Sequence, residues 1–118
     1  MKVLKAGEGA TIERTNAPIF DGQVHGRSLP ESDHFNAAIV SFTAGAHTKP
    51  HMHTGDQLLY IVSGIGKVGD ADGEHVVSAG DTVIIPANTD HWHGAGDTGS
   101  PMSHLTVQRS DSQTTVLG

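Results

Sequence analysis

Short runs rich in apolar, β-branched and aromatic residues recur along this chain, each closed by Gly, Pro, Asn or Asp. Nowhere does an apolar period of 3.6 residues persist over ten or more positions, so no substantial helix is expected. The clearest predicted strands cover residues 36–43, 57–63, 65–68, 74–78, 82–85 and 103–108; weaker ones cover 11–14, 24–28 and 91–94. Gly69-Asp70-Ala71-Asp72-Gly73 joins two of these runs as a hairpin loop. Many short strands at this spacing predict an all-β sandwich or barrel. The polar residues 110–118 read as a loose, flexible tail. The expectation is one domain over residues 1–118, with a core at about 36–109.

Alternation within residues 57–62 adds one detail. Gln57, Leu59 and Ile61 share one face; Leu58, Tyr60 and Val62 share the other. A strand apolar on both faces is usually covered on both sides. In a chain this small the second cover is expected from a partner subunit, which predicts a homodimer.

Composition narrows the functional classes. The chain has no Cys, which excludes a disulfide scaffold, a thiolate metal site and a Cys nucleophile. Its 15 Gly residues are scattered, as many tight turns require, and form no repeat. The net charge is −6 and the seven basic residues are dispersed, so no nucleic-acid footprint is present. No apolar run reaches the length of a membrane span, and residues 1–8 lack the apolar region of a signal peptide. A cytoplasmic protein with a small-molecule substrate, and no membrane or nucleic-acid partner, is expected.

The unusual residue is His, with nine copies. Six fall in two windows: His47, His51 and His53, then His91, His93 and His104. In an extended strand residues i and i+2 point the same way, so His51 and His53 can reach a common point, as can His91 and His93. Gln57 follows the first pair after the short turn Thr54-Gly55-Asp56, which can bring its side chain back beside them. Imidazole is the commonest metal-ligating side chain. Spacing alone leaves both a metal site and a chance pairing of imidazoles open. His104, Thr106 and Gln108 share one strand face, a polar row that suits a pocket wall. His104 is suited there to carry a proton near neutral pH.

Two motifs then bring a family resemblance. Gly45-x5-His51-x-His53-x3-Gln57-x6-Gly64 resembles the first cupin motif, G-x5-H-x-H-x3–4-E-x6-G. Gly80-x5-Pro86-x-Asn88-x2-His91 resembles the second, G-x5-P-x-G-x2-H-x3-N. The resemblance covers Gly45 to Ala95 and implies a double-stranded β-helix, the jelly-roll-type barrel, with a metal near its mouth. The chain departs from the pattern at Gln57, which replaces Glu, at Asn88, which replaces Gly, and at Ala95, which replaces Asn. Asn is the residue after Gly most tolerant of positive φ. Gln57 matters more, because it cancels none of the metal's charge. A site of neutral ligands keeps its cation strongly Lewis-acidic and stabilises a trivalent state less well. That favours lyase, isomerase or binding chemistry over oxidative cycling.

Within the cupins, His53, Gln57, His91-Trp92-His93-Gly94-Ala95 and Met102-Ser103-His104-Leu105 resemble a subgroup of small bacterial proteins. It includes manganese-dependent hydroxynitrile lyases and relatives grouped with carboxymuconolactone-decarboxylase-associated proteins. Gln57 is also similar to its counterpart in small cupins acting on unsaturated uronates. The subgroup resemblance implies His51, His53, Gln57 and His91 as metal ligands and His104 as the proton-transfer residue, with His93 beside it. It implies Ala38, Val40 and Gln108 as pocket lining. The expected cofactor is one divalent cation, manganese first, with iron, nickel, zinc or cobalt also compatible with mixed N/O ligation. The expected activity is a lyase reaction on a small hydroxy or carbonyl compound; a dioxygenase and a non-catalytic small-molecule binder are the alternatives.

Overall fold

The computed structural model describes residues 1–118. Twelve strands account for nearly all of its regular structure: β1 (Ile12–Glu13), β2 (Phe20–Asp21), β3 (Val24–Ser28), β4 (Phe35–Phe42), β5 (His47–Thr48), β6 (His51–His53), β7 (Gln57–Asp70), β8 (Gly73–Ser78), β9 (Thr82–Ile85), β10 (Trp92–Gly94), β11 (Met102–Arg109) and β12 (Thr114–Val116). A single 3-10 turn at Gly96–Thr98 is the one helical element. No helix is long and apolar enough to cross a membrane. The fold class is therefore all-β, as the short alternating runs predict.

β7 is the spine of the molecule. Its first half pairs with β11 and β9, and its second half with β8 and β10. Hydrogen bonding then runs outward along β1-β3-β4-β11-β7-β10-β5-β2, so one sheet curls from one wall of the barrel into the other. The sequence reading splits this spine into two strands, at residues 57–63 and 65–68. The chain instead continues through Gly64, which bends at φ 77°. A Cβ there would collide with the carbonyl oxygen of Pro101, so only glycine lets β11 approach the bend.

The C-terminal stretch differs from expectation. Residues 110–118, read as a loose tail, contain β12, which pairs antiparallel with β6. Leu117 N donates to Pro50 O at 2.8 Å, and Thr54 N donates to Gln113 O at 2.9 Å. The β-branched Thr114-Thr115-Val116 run suits a strand, but its polarity hid it.

The apolar core, made of Val24, Phe42, Ala46, Leu59, Ile61, Val68, Val77, Ile85, Ala95 and Met102, fills one part of the barrel interior. The remainder is filled by polar side chains: Thr48, His51, His53, Gln57, His91, His93 and His104 are all buried. A barrel interior lined so heavily by imidazole is not explained by packing, because each buried ring needs a hydrogen-bond partner at both nitrogens.

Candidate metal centre

β6 and the segment just before β10 bring the two histidine windows together. His51 N donates to His91 O at 2.9 Å and His91 N donates back to His51 O at 3.0 Å, forming an isolated antiparallel bridge. Two further links lock the turns. Asn88 N donates to His53 O at 2.7 Å, and Asn88 itself adopts φ 61°, the positive value its position in the second motif requires. Ala87 N donates to Asp56 Oδ1 at 2.9 Å, so Asp56, at the end of the turn that follows His53, ties the two motifs together.

The five buried rings form one contiguous cluster. Ring centroids lie 4.2 Å apart for His51 and His91, 4.8 Å for His51 and His53, 5.4 Å for His51 and His93, and 4.8 Å for His93 and His104. Ring nitrogens of His51, His91 and His93 all lie within 4.8 Å of one another. His93 thus sits among the expected ligands and not only beside His104. His53 closes the cluster from the other side, its centroid 5.4 Å from that of His91.

Hydrogen bonding fixes which nitrogen each ring presents. His51 Nδ1 lies 2.8 Å from Lys49 O, and His91 Nδ1 lies 2.8 Å from Thr89 O. A carbonyl oxygen only accepts, so both Nδ1 atoms carry the proton and, in the neutral rings, both Nε2 atoms are bare lone pairs. His53 Nδ1 lies 2.7 Å from Thr114 Oγ1, and its Nε2 is buried with no partner. Gln57 Nε2 donates to Thr106 Oγ1 at 2.9 Å, which turns Gln57 Oε1 inward, 3.2 Å from His91 Nε2. Two acceptors then face each other in a buried space. Such a contact is repulsive unless a cation or proton lies between them.

Burial weighs against the proton. It pushes the His51 ring down to about 4, despite its hydrogen bond to Lys49, and the neighbouring His91 and His53 add to the effect. Burial also lowers His53 and His91, and pushes His104 down to about 4. His93 is lowered well below the usual range by complete burial, then by His104, His51, His91 and His53. The rings are neutral at pH 7, and a proton is disfavoured at each. A divalent cation fits this donor set: His51 Nε2, His53 Nε2, His91 Nε2 and Gln57 Oε1 offer unprotonated N and O atoms.

The His93–His104 pair is a different device. His104 Nε2 and His93 Nδ1 are 3.0 Å apart, and the outer nitrogens, His93 Nε2 and His104 Nδ1, have no partner. One proton lies on the link and either ring can hold it. Phe42 packs against both rings, its centroid 5.5 Å from His104 and 6.1 Å from His93.

A cavity of about 160 Å³ opens onto the cluster, lined by Val40, Gln57, His51, His53, His93, His104, Thr106 and Gln108, with Ile19, Phe20, Thr48 and Thr114 around them. Of the residues expected to line a substrate pocket, Val40 and Gln108 lie on the wall of this cavity. Ala38 lines instead the adjoining outer cleft, which shares Thr106, Gln108 and Thr114 with the cavity. Four lining residues were missed. Phe20, Ile19 and Thr48 come from short segments with no strand signal, and Thr114 lies in the supposed tail. His47 and Trp92 stay outside the cluster: they stack edge to face at 5.9 Å, with His47 Nε2 3.7 Å from Asp21.

Comparison with known proteins agrees with this geometry. A model of the family described as the cupin domain matches residues 38–108. An acireductone dioxygenase of Leptospira biflexa serovar Patoc is 46% identical over 48 residues, which cover 37% of this chain and 27% of that protein. The chain thus aligns with about a quarter of that relative's length. Among solved structures, a cupin-like protein of Thermotoga maritima superposes with TM-score 0.81 at 25% identity, covering 100% of this chain and 90% of its own. The polyketide cyclase RemF of Streptomyces resistomycificus superposes with TM-score 0.82 at 19% identity, covering 100% and 87%; at that identity the likeness concerns the fold alone.

Proposed function

The chain belongs to the cupin family, and from that premise we propose that it is a metal-dependent lyase for a small hydroxy or carbonyl compound, of the hydroxynitrile lyase type. The cation-binding group is His51, His53, Gln57 and His91. The observation that carries the reading is that His51, His53 and Gln57 line one cavity with the His93–His104 pair, while His91 Nε2 lies 3.2 Å from Gln57 Oε1 at its edge. A bound divalent cation, manganese first, would supply Lewis acidity to a substrate oxygen without any ligand charge to weaken it.

The chain's own residues supply the rest. His104 and His93 take up the hydroxyl proton of a cyanohydrin as the carbon–carbon bond to cyanide breaks. The same proton leaves with cyanide as HCN, and the aldehyde remains. The low proton affinity of both rings keeps them ready as acceptors at neutral pH. Val40, Phe20 and Ile19 offer an apolar wall to the substrate's body, and Gln108 and Thr106 a polar one. The protein would act on this small molecule in the cytoplasm as a homodimer. The outer sheet face supports the second copy: Tyr60, Val62 and Ile84 are 44%, 47% and 61% exposed there.

Elemental analysis of protein purified without added metal, followed by cleavage assays on several aromatic cyanohydrins, tests the reading. Stoichiometric metal with release of cyanide is expected; fully metallated protein that cleaves none of them rules the lyase out. A dioxygenase is the second reading, favoured by the acireductone dioxygenase match. Substrate-dependent oxygen consumption in an oxygen electrode distinguishes it.

A further inference from the structure

The three histidines of the proposed cation site are oriented in two different ways. His51 and His91 each donate Nδ1–H to a backbone carbonyl two residues upstream, Lys49 O and Thr89 O. Their tautomers are set locally, by groups that cannot be substituted away. His53 has no such carbonyl. Its Nδ1 meets the Thr114 hydroxyl at 2.7 Å, a residue 61 positions later in the chain.

β12 makes that contact by register. Thr114 stands opposite His53, Thr115 opposite Met52 and Val116 opposite His51. The pairing is pinned at both ends. Gly55 N donates to Ser112 Oγ at 3.2 Å, Gln113 N donates to Thr54 Oγ1 at 2.9 Å, and Leu117 N donates to Pro50 O at 2.8 Å. β6 is thereby held between β12 on one edge and the His91 bridge on the other. His53 Nε2, buried and without a partner, faces the cluster. It is a lone pair only if Nδ1 carries the proton, the form in which the Thr114 hydroxyl oxygen accepts from Nδ1.

We propose that Thr114 is a positioning residue that holds His53 in its Nδ1–H tautomer, which makes the C-terminal strand β12 a part of the cation site. This rests on the cation-binding reading above. Loss of an outer hydrogen-bond partner of a metal-ligating histidine typically costs ten- to a hundredfold in affinity. Thr114 is itself exposed, so water replaces part of its effect, and a loss of about tenfold is expected.

The test uses the full-length chain and two readouts. First, nitrogen-15 NMR of the metal-free protein reads the His53 tautomer directly. Wild type is expected to carry its proton on Nδ1. Thr114→Val, which keeps the β-branched shape but not the acceptor, is expected to move it toward Nε2. Second, cobalt(II) titration against a competing chelator reads affinity. Thr114→Val is expected to bind about tenfold more weakly, Thr114→Ser within about threefold of wild type, and Thr115→Val, on the opposite face of the same strand, unchanged. A wild-type His53 protonated on Nε2 overturns the proposal whatever the variants do, even if Thr114→Val does not fold. Equal cobalt affinity in wild type and a folded Thr114→Val overturns it as well. Failure of wild type to bind cobalt at all would instead refute the cation site, and the tautomer measurement would still decide the role of Thr114.

Discussion

Gln57 Oε1 and His91 Nε2 stand 3.2 Å apart in the barrel interior, and neither carries a proton to join them. Thr106 holds the Gln57 amide with its oxygen inward, and Thr89 O holds the proton of His91 on the far side of the ring. The fold therefore spends stability on aiming two lone pairs at one place. Two lone pairs aimed at one place are the arrangement a preorganised cation site requires.

Changing Gln57 tests this arrangement from both sides. Gln57→Leu relieves the lone-pair conflict and is expected to leave the metal-free protein at least as stable as wild type, while cation affinity drops about tenfold or more. Gln57→Glu adds a carboxylate next to His91, which favours the imidazolium form and raises the His91 pKa from its depressed value. Cation affinity is expected to rise and Lewis acidity to fall. Thermal melts, chelator competition and NMR titration of His91 check each part; a Gln57→Leu protein with wild-type affinity would remove Gln57 from the site.

His104 and the ligands should separate by readout. His51→Ala or His91→Ala removes a donor from the cluster's centre and is expected to weaken cation binding by at least about a hundredfold. His104→Ala leaves the donor set intact and is expected to change affinity by less than about threefold, yet to lower cyanohydrin cleavage by about 10²–10⁴-fold. Metal content and turnover measured on the same samples distinguish the two classes. A His104→Ala protein that keeps full activity would move the proton role elsewhere.

Acid should destabilise the metal-free protein at a predictable pH. His51 and His104 have folded pKa values of about 4, against an ordinary 6.5, because burial disfavours their charged forms. Between those values the unfolded chain binds protons that the folded chain refuses, so stability rises with pH across this window. The full stability holds above about pH 6.5. It erodes as pH falls from there toward 4, by on the order of 3 kcal/mol for each of the two rings. Urea unfolding at pH 7 and pH 4.5 measures this; equal stability at both would show that these rings are not shielded from water.

What could be read from the sequence follows the physics of each signal. The strands at residues 36–43, 74–78, 82–85 and 103–108 were legible as short apolar and β-branched runs between turn residues, and they recur in the structure as β4, β8, β9 and β11. His51, His53 and His91 were legible because backbone geometry places i and i+2 on one face, and the motif spacing does the rest. The inward position of His93 follows from the same rule. The contact between His53 and Thr114 was not legible. It depends on a three-residue strand whose pairing partner is far away in sequence, and short polar strands carry no periodicity to reveal them. The bend that unites two predicted strands into β7 was hidden likewise, because Gly64 reads as a break until β11 packs against it.

The outer face of the sheet carries the last prediction. Leu105 is paired with both Ile39 and Tyr60, Val107 with Ala37 and Leu58, and Leu58 with Ile84, so these side chains form one continuous apolar surface. Tyr60 and Ile84 remain 44% and 61% exposed on it. Contiguous exposed apolar surface of this kind marks an association site, and burial returns roughly 25 cal/mol per Å². A two-fold partner that packs this sheet against its own copy would cover the face that strand alternation left without a cover. Light scattering after gel filtration is expected to give twice the 12.3 kDa chain mass. Tyr60→Lys together with Leu105→Glu puts charges at the centre of the patch and is expected to give a monomer. Cation binding should survive in that monomer, because every proposed donor comes from one chain. A wild type that runs as a monomer would leave the outer face free.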